Sequence, residues 1–318
     1  MSESTKLGQS LASSPESVSA SRPGSWRQVR QARPAYLFIS PFYILYVIFG
    51  LYPLLFSVYL SFTEWGGKGP INFIGLANYA LLLRDKVFWQ SMKNGVILFL
   101  MYVPIMTFLA LVLAVVLNSK RVRGFRFFRT LIFMPYITNM VAAGFTFQLL
   151  LNTKYGVFNV FLDLFHIPPV PWLDSVWGAR ASLCLLVVWA WLGYNMVIML
   201  AGLQTIPGEL TEAALIDGAT PARAFLLITI PLMRPVILFS VVLSTMGSFN
   251  LFTELVSLFP STFGSGPLDS TITPLLAIFV QGFQNFRFGY ASSMAYVYFA
   301  FIFVLTLLQV RYFGREEG

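Results

Sequence analysis

Six apolar runs divide this chain, and none carries an Asp, Glu, Lys, Arg or His in its middle. They lie at about 36–60, 94–117, 130–151, 181–203, 236–253 and 290–310. At 1.5 Å of rise per residue, a helix of ~20 residues crosses the ~30 Å of hydrocarbon in a bilayer. Lipid offers no partner for a backbone amide, so such runs must be helices that satisfy their own hydrogen bonds. The charged residues are only 11% of the chain, against about 25% in an ordinary soluble domain. The expected class is therefore an all-α integral membrane protein with six transmembrane helices.

Charge placement orients the spans. A formal net charge of +8 raises the question of nucleic acid, yet the cations fall in short clusters between apolar runs. That is the positive-inside pattern, and no nucleic-acid partner is expected. With six spans and both termini cytoplasmic, 14 of the 21 Lys and Arg lie inside. The densest cluster, Lys120, Arg121, Arg123, Arg126 and Arg129, sits after the second span. Residues 1–33 hold almost no large apolar side chain and read as a disordered cytoplasmic tail, with residues 312–318 a second, short tail. Pro41 and Pro53 predict kinks in the first span. Residues 254–288 are extracytoplasmic or re-entrant, because Pro274, Gln281, Gly282, Gln284 and Asn285 suit no lipid-facing helix.

Between the fourth and fifth spans lies a polar, helix-prone interruption, EAALIDGATPARAFLLITIPLMRP, at residues 212–235. Pro207 suits the opening position of a first helix. Gly218 follows where a helix needs positive φ to end. Thr220 and Pro221 supply a cap and a pre-set φ for a second helix, which Pro231 and Pro235 interrupt. The expected shape is a short helix-turn-helix displayed between two spans.

This stretch, with Ile206-Pro207, Glu212-Ala213-Ala214, Asp217-Gly218-Ala219, Phe225 and Ile228-Thr229-Ile230-Pro231, resembles the EAA loop of permease subunits of ATP-binding-cassette (ABC) importers, in its carbohydrate-uptake version. Residues 73–79, FIGLANY, and the passage from Gly264-Ser265-Gly266-Pro267 through Thr271 to Gly289-Tyr290-Ala291-Ser292 are similar to further segments of that family. The resemblance implies the type I ABC importer permease fold in a prokaryotic inner membrane. It implies a second homologous permease, two ATPase subunits and an extracytoplasmic solute-binding protein as partners. ATP and Mg would sit on the partner ATPase, with no cofactor on this chain. Glu212, Ala213, Ala214, Asp217 and Gly218 would form the ATPase-coupling element, while Phe225, Ile228 and Ile230 pack against the chain's own spans.

The chain holds no phosphate-binding loop and no cluster of acid, base and nucleophile, so an enzyme is not expected. One cysteine (Cys184) and one histidine (His166) leave no disulfide framework and no Cys/His metal cage. For a solute path, amides, hydroxyls and aromatic faces are wanted within the spans. Tyr194 and Asn195 in the fourth, and Ser244, Ser248, Phe249, Asn250 and Glu254 along the fifth, are the candidates, though polar residues in spans also serve as interhelical glue. The solute is expected to be a sugar or sugar-like molecule. Glycerol-phosphate importers share these motifs, although no excess of cationic side chains marks the path. The rivals are an ATP-independent secondary carrier, which usually needs intramembrane carboxylates, and a non-transporting scaffold.

Overall fold

The computed structural model describes residues 33–119 and 123–313. The tail at 1–32, Lys120, Arg121 and the last residues of the C-terminal tail, 314–318, lie outside them. Of the described residues, 33–56 form one unit and those from 57 onward a second. In the first, α1 (Arg33–Tyr46) runs through a π turn, Val47–Leu51, into α2 (Tyr52–Ser61), whose last five residues belong to the second unit. Apolar side chains such as Phe38, Phe42 and Phe49 point outward on it, as lipid-facing residues do.

The second unit is a helical bundle. Its long members are α4 (Lys86–Asn118), α8 (Val176–Thr205), α11 (Ile230–Phe249) and α14 (Phe288–Phe313). Helix α3 is Ala77–Leu82; α5 (Phe125–Phe133), α6 (Met140–Leu150) and α7 (Val157–Asp163) precede α8. Helices α9 (Gly208–Ile216) and α10 (Pro221–Ala224) make the interruption, and α12 (Thr253–Leu258) and α13 (Pro274–Phe279) precede α14. Among the described residues, five helical stretches are long and apolar enough to cross a membrane, and a bent pair makes the sixth.

Side-chain contacts fix the directions. Arg180 bonds to Asn94 and Asn195 to Met106, while Met196, Leu200 and Leu203 cluster with Ala110, Ala114 and Leu117, so α8 runs parallel to α4. Helix α11 runs antiparallel to both. Its Val236 meets Gly202, its Ser240 donates to Asn195 Oδ1 at 2.6 Å, and Phe249 covers Gly95. The end of α4, the α9 turn and the start of α11 therefore share one end of the bundle.

Four boundaries differ from those expected, the first being that α4 begins at Lys86 and not near 94. The run at 130–151 is not a single rod: a 3₁₀ turn, Met134–Ile137, containing Pro135, leads into a bend of 94° before α6. Asn139 caps the new helix by accepting from Val141 N at 2.9 Å and Ala142 N at 3.2 Å. The pair still crosses the bundle, since Phe125 packs with the Leu117–Leu203 cluster and Leu151 with the Ala179–Leu183 cluster. The fifth span runs Pro221–Phe249, with Pro231 and Pro235 inside it, and stops before Asn250 rather than at 253. Arg180, expected in an outer segment, lies in the second turn of α8 and is only 6% exposed.

Two of the prolines, Pro53 and Pro231, are accommodated in their helices by a π turn just ahead of them. Pro53 follows Val47–Leu51 and Pro231 follows Phe225–Thr229. A proline ring displaces the carbonyl four residues before it, here Phe49 and Leu227, and both lie inside the widened turn.

Helix α5 crosses α8 at Gly193, where a Cβ would strike the Ile132 carbonyl and the Phe133 backbone. Small residues at such crossings let backbones approach, as usual between membrane helices. Gly193→Val should lower stability by ~1–3 kcal/mol, the usual cost of overpacking. Gly247→Ala, whose Cβ would meet only Tyr102 Oη at 3.5 Å, should be near neutral. Thermal unfolding of both detergent-purified variants reads the difference.

Candidate functional site

The turn after α9 is closed by a Schellman arrangement. Ala219 N donates to Ala214 O at 2.9 Å and Gly218 N to Leu215 O at 3.2 Å, with Gly218 at φ +87°. Thr220 Oγ1 then accepts from Arg223 N at 3.3 Å, and Pro221 opens α10. Helix α9 begins at Gly208, with Pro207 as its N-cap residue. Glu209, Glu212, Ala213 and Ile216 are all exposed and share one face by their 3-4-7 spacing. Ile216 is 85% exposed, far more than an apolar residue at a helix end needs to be. Asp217 is exposed at the C-cap, while Ala214 turns partly inward. Beneath them Ala224 is fully buried, and Phe225, Ile228 and Ile230 are half-buried. The loop is thus a rigid turn with a small-residue, acidic and apolar outer face.

On its two sides the loop continues directly into α8 and α11, and these helices wall a cavity of about 350 Å³ together with α4. Tyr102, Met106, Trp191, Tyr194, Asn195, Ser244, Asn250 and Glu254 are among its lining residues. The structure therefore brings together Tyr194, Asn195 and Asn250. It does not bring Ser248 and Phe249 to the cavity. Ser248 donates to Thr245 O within its own helix, and Phe249 is fully buried against Gly95 and Phe301.

The polar members are held in defined orientations. Asn195 Oδ1 accepts from Ser240 at 2.6 Å and from Ser244 at 3.4 Å, and its amide donates to Trp191 O at 3.0 Å. Asn250 accepts from Tyr298 Oη at 2.8 Å and donates to Met246 O at 3.0 Å. Tyr136 stacks on Tyr194 with ring centroids 4.8 Å apart and meets Trp191 edge-on at 5.3 Å. This aromatic group borders a second cavity, at the bend before α6, and Trp191 and Glu254 line both cavities. Trp191 was legible as the residue one helical turn before Tyr194 and Asn195. Tyr136 was not, because only the bend carries it to α8.

FIGLANY has a structural task. Asn78 Nδ2 donates to Ser61 O at 3.0 Å and Thr63 O at 2.8 Å, and Tyr79 Oη donates to Ser61 Oγ at 2.8 Å, tying α3 to the end of the first span.

The whole stretch 74–315 matches the family described as binding-protein-dependent transport system inner membrane component. The lactose transport system permease protein LacF of Rhizobium radiobacter is 38% identical over 285 residues, covering 89% of this chain and 94% of that one. The sn-glycerol-3-phosphate transport system permease protein UgpA of Agrobacterium fabrum is 32% identical over 284 residues, 88% of this chain and 94% of that one. Among solved structures, a bacterial ABC transporter involved in the import of the acidic polysaccharide alginate superposes with a TM-score of 0.77 at 21% identity. That superposition covers 92% of this chain and 99% of the other, and speaks for the fold.

Asn195→Leu would leave Ser240 without its buried acceptor. A loss of about 1 kcal/mol, the scale of interhelical hydrogen bonds in membranes, is expected as a lowered unfolding midpoint. Ser240→Ala in the same background should then cost little more, since the pair acts as one unit.

Proposed function

The chain belongs to the family of inner membrane components of binding-protein-dependent transport systems, and on that premise we propose that it forms half of the translocation pathway of an ABC importer for a sugar or sugar-like solute. Relatives named for lactose and arabinooligosaccharide transport support the carbohydrate class. The protein is a multi-pass membrane transport subunit, and a prokaryotic inner membrane is its proposed location. A second permease completes the pathway, and an extracytoplasmic binding protein delivers the solute. Two separate ATPase subunits supply the energy, so that ATP and Mg are held there and not by this chain.

One observation carries the mechanism: the α9 turn joins the two helices that wall the cavity. A displacement of α9 is delivered to Tyr194 and Asn195 through α8, and to Ser244 and Asn250 through α10 and α11. In the proposed cycle α9 seats in a groove on an ATPase subunit. Glu212 offers its carboxylate to a donor there, Ala213 lets the backbones approach, and Ile216 buries its exposed side chain. Ala214 and Asp217 support the helix end, and Gly218 holds the turn. ATP-driven closure of the two ATPase subunits then moves the loops and reopens the pathway on the other side. The cytoplasmic placement of this loop and of both termini is supported by the cations sharing its end of the bundle, Arg123, Arg126, Arg223 and Arg234.

Affinity purification of the tagged protein from native membranes tests the reading. The wild type should bring down an ATPase and a second permease. Gly218→Trp should lose the ATPase and keep the permease. Gly218→Asn, which tolerates positive φ, should retain most of it. A wild type that purifies alone would sink the importer assignment and favour a carrier that needs no ATPase.

A further inference from the structure

The chain breaks between α11 and α12, and the first turn of α12 carries Glu254 inward. Its side chain is 8% exposed, and it lines both the central cavity and the one at the bend. The Tyr102 side chain lines the same central cavity. Among the described residues no ion pair and no hydrogen-bond donor reaches its carboxylate, and no Lys, Arg or His lines either cavity. Its oxygens keep accessible surface toward the cavities and have no protein donor among the described residues, so a solute in the cavity can supply the hydrogen bonds they accept.

We propose that Glu254 is the specificity-determining residue of the pathway, which accepts a pair of neighbouring hydroxyl groups from an uncharged polyhydroxyl solute and excludes anionic ones. The proposal rests on the importer reading given above and narrows its solute class. A carboxylate has two oxygens with about four acceptor positions, which two adjacent O–H donors can share in bidentate fashion. The rings of Tyr136, Trp191 and Tyr194 supply the apolar faces against which C–H surfaces of such a solute pack. A phosphate or carboxylate about 6 Å from Glu254 would meet a like charge with no lining cation to offset it. At an effective dielectric of about 20 that disfavours the anion by roughly a hundredfold.

The test uses the intact importer in native membranes, treated with a hydrophobic carbodiimide that traps carboxyl groups in apolar surroundings. Mass spectrometry follows modification of the peptide containing Glu254. Lactose, trehalose and arabinotriose supplied together should reduce labelling by roughly tenfold, the scale of a charge-assisted hydrogen bond, and glycerol 3-phosphate should not. Absence of labelling, absence of protection, equal protection by glycerol 3-phosphate, or preferential protection by glucosamine would each overturn the proposal. The last would mark a cation site instead. In transport assays, Glu254→Gln should narrow the preference for the neutral saccharides over glycerol 3-phosphate, and an unchanged ratio would also overturn it. Co-purification of the ATPase is scored on the same Glu254→Gln preparation. Its absence from the wild type would remove the importer reading, whereas the labelling result judges Glu254 separately.

Discussion

A buried guanidinium organises the end of the bundle remote from the α9 turn. Arg180 donates from Nη2 to Asn94 Oδ1 at 2.9 Å and from Nε to Ser270 O at 3.1 Å, with the Trp177 ring 4.9 Å away. Its acceptors are neutral, so a cation removed from water is held by dipoles and a ring face. Asn94 in turn donates to Asp269 O and Ile272 O. Three segments distant in sequence, α4, α8 and residues 267–273, are thereby joined at one point. The consequence reaches the cavity. Thr273, next to Ile272, donates to Leu251 O at 2.7 Å and pins the break that follows α11. That break is what turns Glu254 inward.

The opposite end is built on different physics. Around α8 and α11 the packing is apolar and includes small and flexible side chains, Ala110, Ala114 and Gly202 with Met196, Met199 and Met233, beside Leu117, Leu200 and Leu203. Helices separated by small residues approach closely without interlocking bulky side chains. The π turn ahead of Pro231 places a locally weakened helical register between the α9 turn and the cavity wall. The two ends thus differ in kind, one pinned by directional hydrogen bonds and the other held by close apolar contact.

The turn at Gly218 is local, and its parts are all within eight residues of one another. A helix former run, a positive-φ glycine, a hydroxyl cap and a proline are enough to specify it. For that reason Gly218, Thr220 and Pro221 were legible in the amino-acid order, as were the first and sixth apolar runs within a few residues, whereas the helices of the second and fourth begin earlier, at Lys86 and Val176. Hydropathy alone could not see the 94° bend, because Pro135, Thr138 and Asn139 sit inside an otherwise continuous apolar run. Nor could it separate Asn250, which faces the cavity, from Ser248 and Phe249 beside it, which do not.

What the amino-acid sequence determined by itself is the solvent, the helical class, the charge bias of the loops and the turn at Gly218. Each depends on composition or on spacing of a few residues, and backbone hydrogen bonding in lipid leaves little alternative. The tertiary structure decided which polar groups meet: Arg180 with Asn94 and Ser270, Asn195 with Ser240, Tyr136 with Tyr194, and Glu254, among the described residues, with no partner. Those outcomes hang on helix rotation and on two chain breaks, so a shift of one residue in register, 100° around a helix, would have sent each group elsewhere.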